Sequence, residues 1–76
     1  MKNQATIWAE KNVISECING YSSEDFKHGA NPENDGAKDV SEPGFLTSSY
    51  KFEDGSVIHI TPSSVSGVYS ISIHND

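Results

Sequence analysis

Cysteine is nearly absent. Cys17 is the only one in 76 residues, which excludes an internal disulfide and a cysteine-ligated zinc knuckle, since the latter needs several thiolates. Basic residues are also scarce: five Lys and Arg stand against eleven Asp and Glu, a formal net charge of −6. Nucleic-acid affinity comes largely from cations neutralising phosphates, so free DNA or RNA is not the expected ligand. An anionic membrane surface is not the expected partner for the same reason. No segment approaches the roughly 18 apolar residues of a membrane span, and the N-terminus leads into no apolar run of signal-peptide length. The expected location is the cytoplasm. Length is short as well. It allows one domain, residues 1–76, burying roughly 60% of its unfolded surface. Without disulfide or zinc, stability has to come from a well-packed small core in a monomer or from a homodimer.

What is present is patterned unevenly. Over residues 4–18, Ile7, Ile14 and Ile18 fall on one line at helical spacing, flanked by Trp8 and Cys17. Asn19-Gly20 follows, and Gly favours the left-handed position that ends a helix. A hairpin of residues 6–9 and 13–18 around Glu10-Lys11-Asn12 competes; the Gly stop favours the helix. Ser22 or Ser23 suits the cap of a short helical turn over residues 22–28, with Glu24 and Asp25 at its positive end and Gly29 as its stop. Residues 29–44, rich in Gly, Pro, Asn and Asp, read as a long acidic loop, and loops of that length tend to be functional or disordered.

From Phe45 onward the period becomes two. Tyr50 and Phe52, Ile58 and Ile60, and Tyr69, Ile71 and Ile73 alternate with polar neighbours, which predicts three antiparallel strands within residues 45–74. A three-residue connection, Glu53-Asp54-Gly55, pairs Tyr50 with Ile58 and puts Gly55 in the left-handed position. Only an odd-length loop keeps the large side chains on one face. The next connection is expected to set Ile60 against Tyr69 and Ile58 against Ile71. The apolar face needs a cover, and the helix is the available one. The expected fold is α+β: an N-terminal helix packed on a C-terminal three-stranded antiparallel β-meander, joined by the acidic loop.

Several constellations are candidates for chemistry by residue type. Asn31, Glu33, Asp35, Asp39 and Glu42, with Gly36 between them, follow the ligand spacing of an EF-hand calcium loop. Asn in place of the first Asp, the Pro after it, Lys38 at the apolar anchor position and Pro43-Gly44 where the exiting helix should start all argue against it. His28, His59, His74 and Cys17 are metal-ligating by type. The expected register puts His59 opposite Ser70, four residues and about 13 Å from His74, too far to share an ion. Cys17 reads as a small core residue, lacking a neighbouring base. No nucleophile elbow or phosphate loop is present, and so small a fold promises little room for a deep pocket. The expectation is no enzyme activity and no cofactor.

Binding remains. Glu24, Asp25, Glu33, Asp35, Asp39, Glu42, Glu53 and Asp54 all fall on predicted turns and loops, where binding residues tend to lie. Together they can form a negative surface that imitates nucleic-acid phosphates and plugs a basic channel on a protein partner. In size, acidity and economy, and in the hairpin Tyr50-Lys51-Phe52-Glu53-Asp54-Gly55-Ser56-Val57-Ile58, the chain resembles the small inhibitors encoded by phages and mobile elements. Anti-CRISPR proteins are the best-known class of these. The class shares no motif, so no functional residue transfers. What the resemblance implies is a stoichiometric inhibitor of a CRISPR effector or another nucleic-acid-binding enzyme, acting by surface complementarity. The alternatives are a host interaction module or antitoxin-like partner binding through apolar residues, and a calcium-responsive loop protein.

Overall fold

The computed structural model describes residues 2–18, 21–27, 29–64 and 69–75, with backbone alone at 15–18 and 21–25. Its first element is a nine-residue helix, α1 (Gln4–Asn12). Asn3 caps it: the side-chain oxygen accepts from the Thr6 backbone N–H at 2.8 Å, satisfying one of the donors that the first turn leaves open. Asn12 closes it by donating from Nδ2 to the Trp8 carbonyl, and Val13 is already extended.

The helix is therefore shorter than the 4–18 span expected from the isoleucine stripe. Residues from Val13 form strand β1 (Val13–Ile18), paired antiparallel with β2 (Tyr21–Phe26) from Val13↔Phe26 to Ile18↔Tyr21. The physical reason lies in the sequence itself. Val13 and Ile14 are β-branched and favour strands, and Asn-Gly between two strands is a strong hairpin signal. Asn19 and Gly20 themselves lie outside the described residues. The short helical turn expected over residues 22–28 is replaced by β2, and His28 is outside the described residues.

The buried face of α1 also differs from the expected stripe. Ala5 and Trp8, one turn apart, are buried, whereas Ile7 and Ile14 are exposed. Small alanines let the helix approach closely while the single Trp fills the space between it and the sheet.

That sheet has four strands rather than three, in the order β3-β4-β5-β6. β3 (Lys38–Asp39) comes from the segment expected to be loop; β4 spans Ser48–Lys51, β5 Ser56–Pro62 and β6 Tyr69–Asn75. β4 and β5 pair with Tyr50 opposite Ile58. Phe52 N–H donates to the Ser56 carbonyl at 2.9 Å, and Gly55 N–H to the Phe52 carbonyl at 3.0 Å. Gly55 has φ +87°, the left-handed conformation that alternation demanded of this turn.

Between β5 and β6 the register is Ile58↔Ile73 and Ile60↔Ile71, two residues from the expected pairing. A slip of two leaves every side chain on its face. Tyr50, Phe52, Ile58, Ile60, Ile71 and Ile73 accordingly share the core with Ala5, Trp8 and Ala37. Aromatic contacts extend it, with Trp8 5.9 Å from Phe26 and Phe26 edge-on to Tyr69 at 5.3 Å between ring centroids. No helix among the described residues is long and apolar enough to cross a membrane.

Candidate functional site

The 29–44 segment holds regular structure. Asn31 accepts the Glu33 N–H through its side chain at 3.0 Å and caps a 3₁₀ turn, Pro32–Asp35, that ends at Gly36 with φ +94°. Pro at the first turn and a left-handed Gly after the last are the natural punctuation of such a turn. Pro32 is buried and Ala37 enters the core. The Trp8 indole N–H donates to Asp35 Oδ2 at 2.8 Å, tying the turn to α1. Beyond β3, Val40 N–H donates to the Ser49 carbonyl at 2.8 Å and Ser49 N–H to Ser41 Oγ at 2.8 Å. The segment is thus stitched to the sheet edge and to the helix.

These contacts divide the expected site residues into two groups. Three aspartates are engaged inside the fold. Asp35 holds Trp8. Asp39 Oδ1 accepts from Ser41 N–H at 2.9 Å, and hydrogen bonds from the Ser41 hydroxyl and backbone hold its carboxyl below the usual aspartate range. Asp54 binds across 50 residues of sequence. Its Oδ2 accepts the Gln4 N–H at 2.8 Å, while Asp54 N–H returns to Gln4 Oε1 at 3.1 Å. Its Oδ1 takes the Ser56 N–H at 2.9 Å and the Ser56 hydroxyl at 2.5 Å. The Ser56 hydroxyl and then the Gln4 amide lower the Asp54 pKa.

The second group is uncommitted. Glu33, Glu42 and Glu53 are exposed. Among the described residues the one ion pair is Lys2–Glu10, at 2.7 Å. β3 also separates charge by face: Lys38 sits opposite Lys51, while Asp39 sits opposite Tyr50. Antiparallel pairing puts the Glu53-Asp54 turn at the end of the sheet where β3 begins, with Glu42 beyond its other end. The carboxylates therefore flank one sheet edge. Glu24 and Asp25 lie on β2, opposite Ser15 and Ile14, and their side chains lie outside the described residues, as does that of Cys17.

Asn31, Glu33, Asp35, Asp39 and Glu42 are not drawn into one cage. Asn31 and Asp35 are engaged as cap and anchor, and among the described residues no three His, Cys, Asp or Glu side chains converge. An open groove of about 650 Å³ lies beside Trp8, with Lys11, Lys27 and Asp35 in its lining.

The histidine expectation is corrected. His59 stands opposite Ser72, with His74 two residues further along β6. Their ring centroids are 4.7 Å apart, with the two Nε2 atoms facing each other. The two-residue register difference is what brings them together. No protein-family model matches the chain, and neither a curated protein nor a solved structure is significantly similar to it.

Proposed function

We propose that this protein is a non-enzymatic, stoichiometric binding protein of the bacterial cytoplasm, working as anti-CRISPR proteins do. Its carboxylates flanking the β3 edge occupy a basic, nucleic-acid-binding surface of a partner enzyme. One observation carries this reading. Glu33, Glu42 and Glu53 are exposed on segments next to contacts with helix and sheet, and no ion pair within the described residues engages them. They steer association with a partner that already attracts phosphates. Asp35, Asp39 and Asp54 contribute to the field while holding the scaffold.

A second reading has its own observation. Phe45 and Leu46, adjacent in the connection before β4, are 69% and 80% exposed. Neighbouring exposed apolar side chains suit the interaction-module or antitoxin-like reading.

The two predict opposite responses to salt. Affinity capture from a bacterial lysate, at low and at high ionic strength, separates them. A nucleic-acid enzyme retained at low salt and released at high salt supports the acidic edge. A catch that survives high salt supports Phe45 and Leu46 instead.

A further inference from the structure

The face of the sheet turned away from α1 carries a cluster that the acidic edge does not use. Along it run the rows Ser49–His59–Ser72 and Lys51–Val57–His74, alternating with the core row Tyr50–Ile58–Ile73. His59 and His74 occupy diagonal positions on adjacent strands, a spacing that aromatic side chains bridge. Their ring planes are inclined by 24°, and the rings meet tip to tip, with the two Nε2 atoms 2.5 Å apart. On its other side His59 places Nδ1 2.6 Å from Ser49 Oγ.

Two bare imidazole lone pairs at that separation repel each other, so either one ring donates its Nε2–H to the other or a metal ion stands between them. The Ser49 hydroxyl both donates and accepts, and in the tautomer where it accepts an Nδ1–H from His59 the Nε2 lone pair is left available. A hydrogen-bonded far nitrogen is the usual support of a metal-ligating histidine.

We propose that His59 and His74 bind one divalent transition-metal ion of the Zn²⁺, Ni²⁺ and Cu²⁺ class through both Nε2 atoms, with water completing the coordination. Binding displaces the proton between the two Nε2 atoms to solvent, and the metal takes its place. At Zn–N distances of about 2.0–2.1 Å, tetrahedral geometry sets the two nitrogens about 3.3 Å apart. The ring tips must therefore part by roughly 0.8 Å. Because His74 is exposed, a small side-chain rotation provides this without moving the strands. Calcium and magnesium, which take oxygen ligands, do not fit a site built from two imidazoles. The lysine on this face nearest the pair in the ladder, Lys51, lies two strands from His74 across Val57. That is about 10 Å from His74, while His59 is its diagonal neighbour at about 7–8 Å, so Lys51 weakens the site most at low salt.

The test is calorimetric titration of the untagged protein with Zn²⁺, repeated with Ni²⁺. One equivalent is expected to bind, and acidification should displace it, because imidazole ligates only as the neutral base. His59→Gln and His74→Gln should each abolish measurable binding while leaving the far-ultraviolet circular dichroism unchanged. Ser49→Ala should weaken binding at least tenfold. His28→Gln and Cys17→Ser should leave it intact. No heat and no shift of the imidazole NMR signals at millimolar Zn²⁺ would overturn the proposal. So would binding that persists in the His59→Gln, His74→Gln double variant.

Discussion

Replacing Ser56 by Ala should destabilise the protein far more than loss of one hydroxyl usually does. Ser56 is fully buried, and its Oγ works in both directions: it accepts the Ala5 backbone N–H at 3.0 Å and donates to Asp54. Ala5 belongs to the first turn of α1, where no intrahelical acceptor exists, and it too is fully buried. Three successive first-turn donors are met by side chains. Gln4 N–H goes to Asp54, Ala5 N–H to Ser56 and Thr6 N–H to Asn3. In Ser56→Ala the Ala5 N–H is left without protein acceptor or water. An orphaned buried donor costs roughly 1–3 kcal/mol, whereas the cavity left by one oxygen atom adds little. The whole domain should have roughly 4–11 kcal/mol to lose. A loss of about 2 kcal/mol would lower Tm by roughly 8–16 °C. Urea unfolding followed by circular dichroism measures the change, with Ser72→Ala on the exposed face as a control expected within about 0.5 kcal/mol. A Ser56→Ala cost below about 0.5 kcal/mol would refute the idea that this hydroxyl caps the helix.

Other outcomes follow from the same contacts. Asp54 has its pKa lowered in the fold, so its contribution is present above the unfolded aspartate value and is lost as pH falls through the folded one. Acid melting curves from pH 5 downward should therefore show a loss in the wild type that is smaller in Asp54→Asn; identical curves would contradict the assignment. Ile58, at 0% exposure, lies centrally on the core face, and Ile58→Ala should cost roughly 2–5 kcal/mol in urea unfolding. A cost below about 1 kcal/mol would mean that the sheet does not pack on α1 as described.

How much of this was legible in the sequence depends on which signals were local. Strands β4 to β6 announced themselves because alternation sustained over several residues matches the period of a strand and not that of a helix. The Gly55 turn was readable because the parity of its loop decides which face Tyr50 and Ile58 share. The β5–β6 connection is longer and pins register less firmly. A slip of two costs nothing in facial pattern, which is why parity reasoning placed the isoleucines on the right face yet missed the histidine pair. The N-terminal segment was ambiguous for another reason: Asn19-Gly20 suits both a helix end and a hairpin, and of the β-branched Val13 and Ile14 that favour the hairpin, Ile14 also fits the helical isoleucine stripe. The β1–β2 pairing resolves it. The long-range uses of Asp35 and Asp54 had no local signal. Trp8–Asp35 and Gln4–Asp54 span 27 and 50 residues, and only the folded chain brings them together.

The division between engaged and uncommitted carboxylates sharpens the functional test. Charge reversal at Asp35 or Asp39 would disturb the anchors to Trp8 and Ser41 as well as the surface. The most direct measurement is the affinity of a Glu33→Lys, Glu42→Lys variant for the captured partner, taken across a salt series beside the wild type. The acidic-edge account predicts weaker binding with a shallower salt dependence at an unchanged Tm. Unaltered affinity and salt dependence, in a variant that folds normally, would contradict it and leave the exposed Phe45 and Leu46 as the surface to examine.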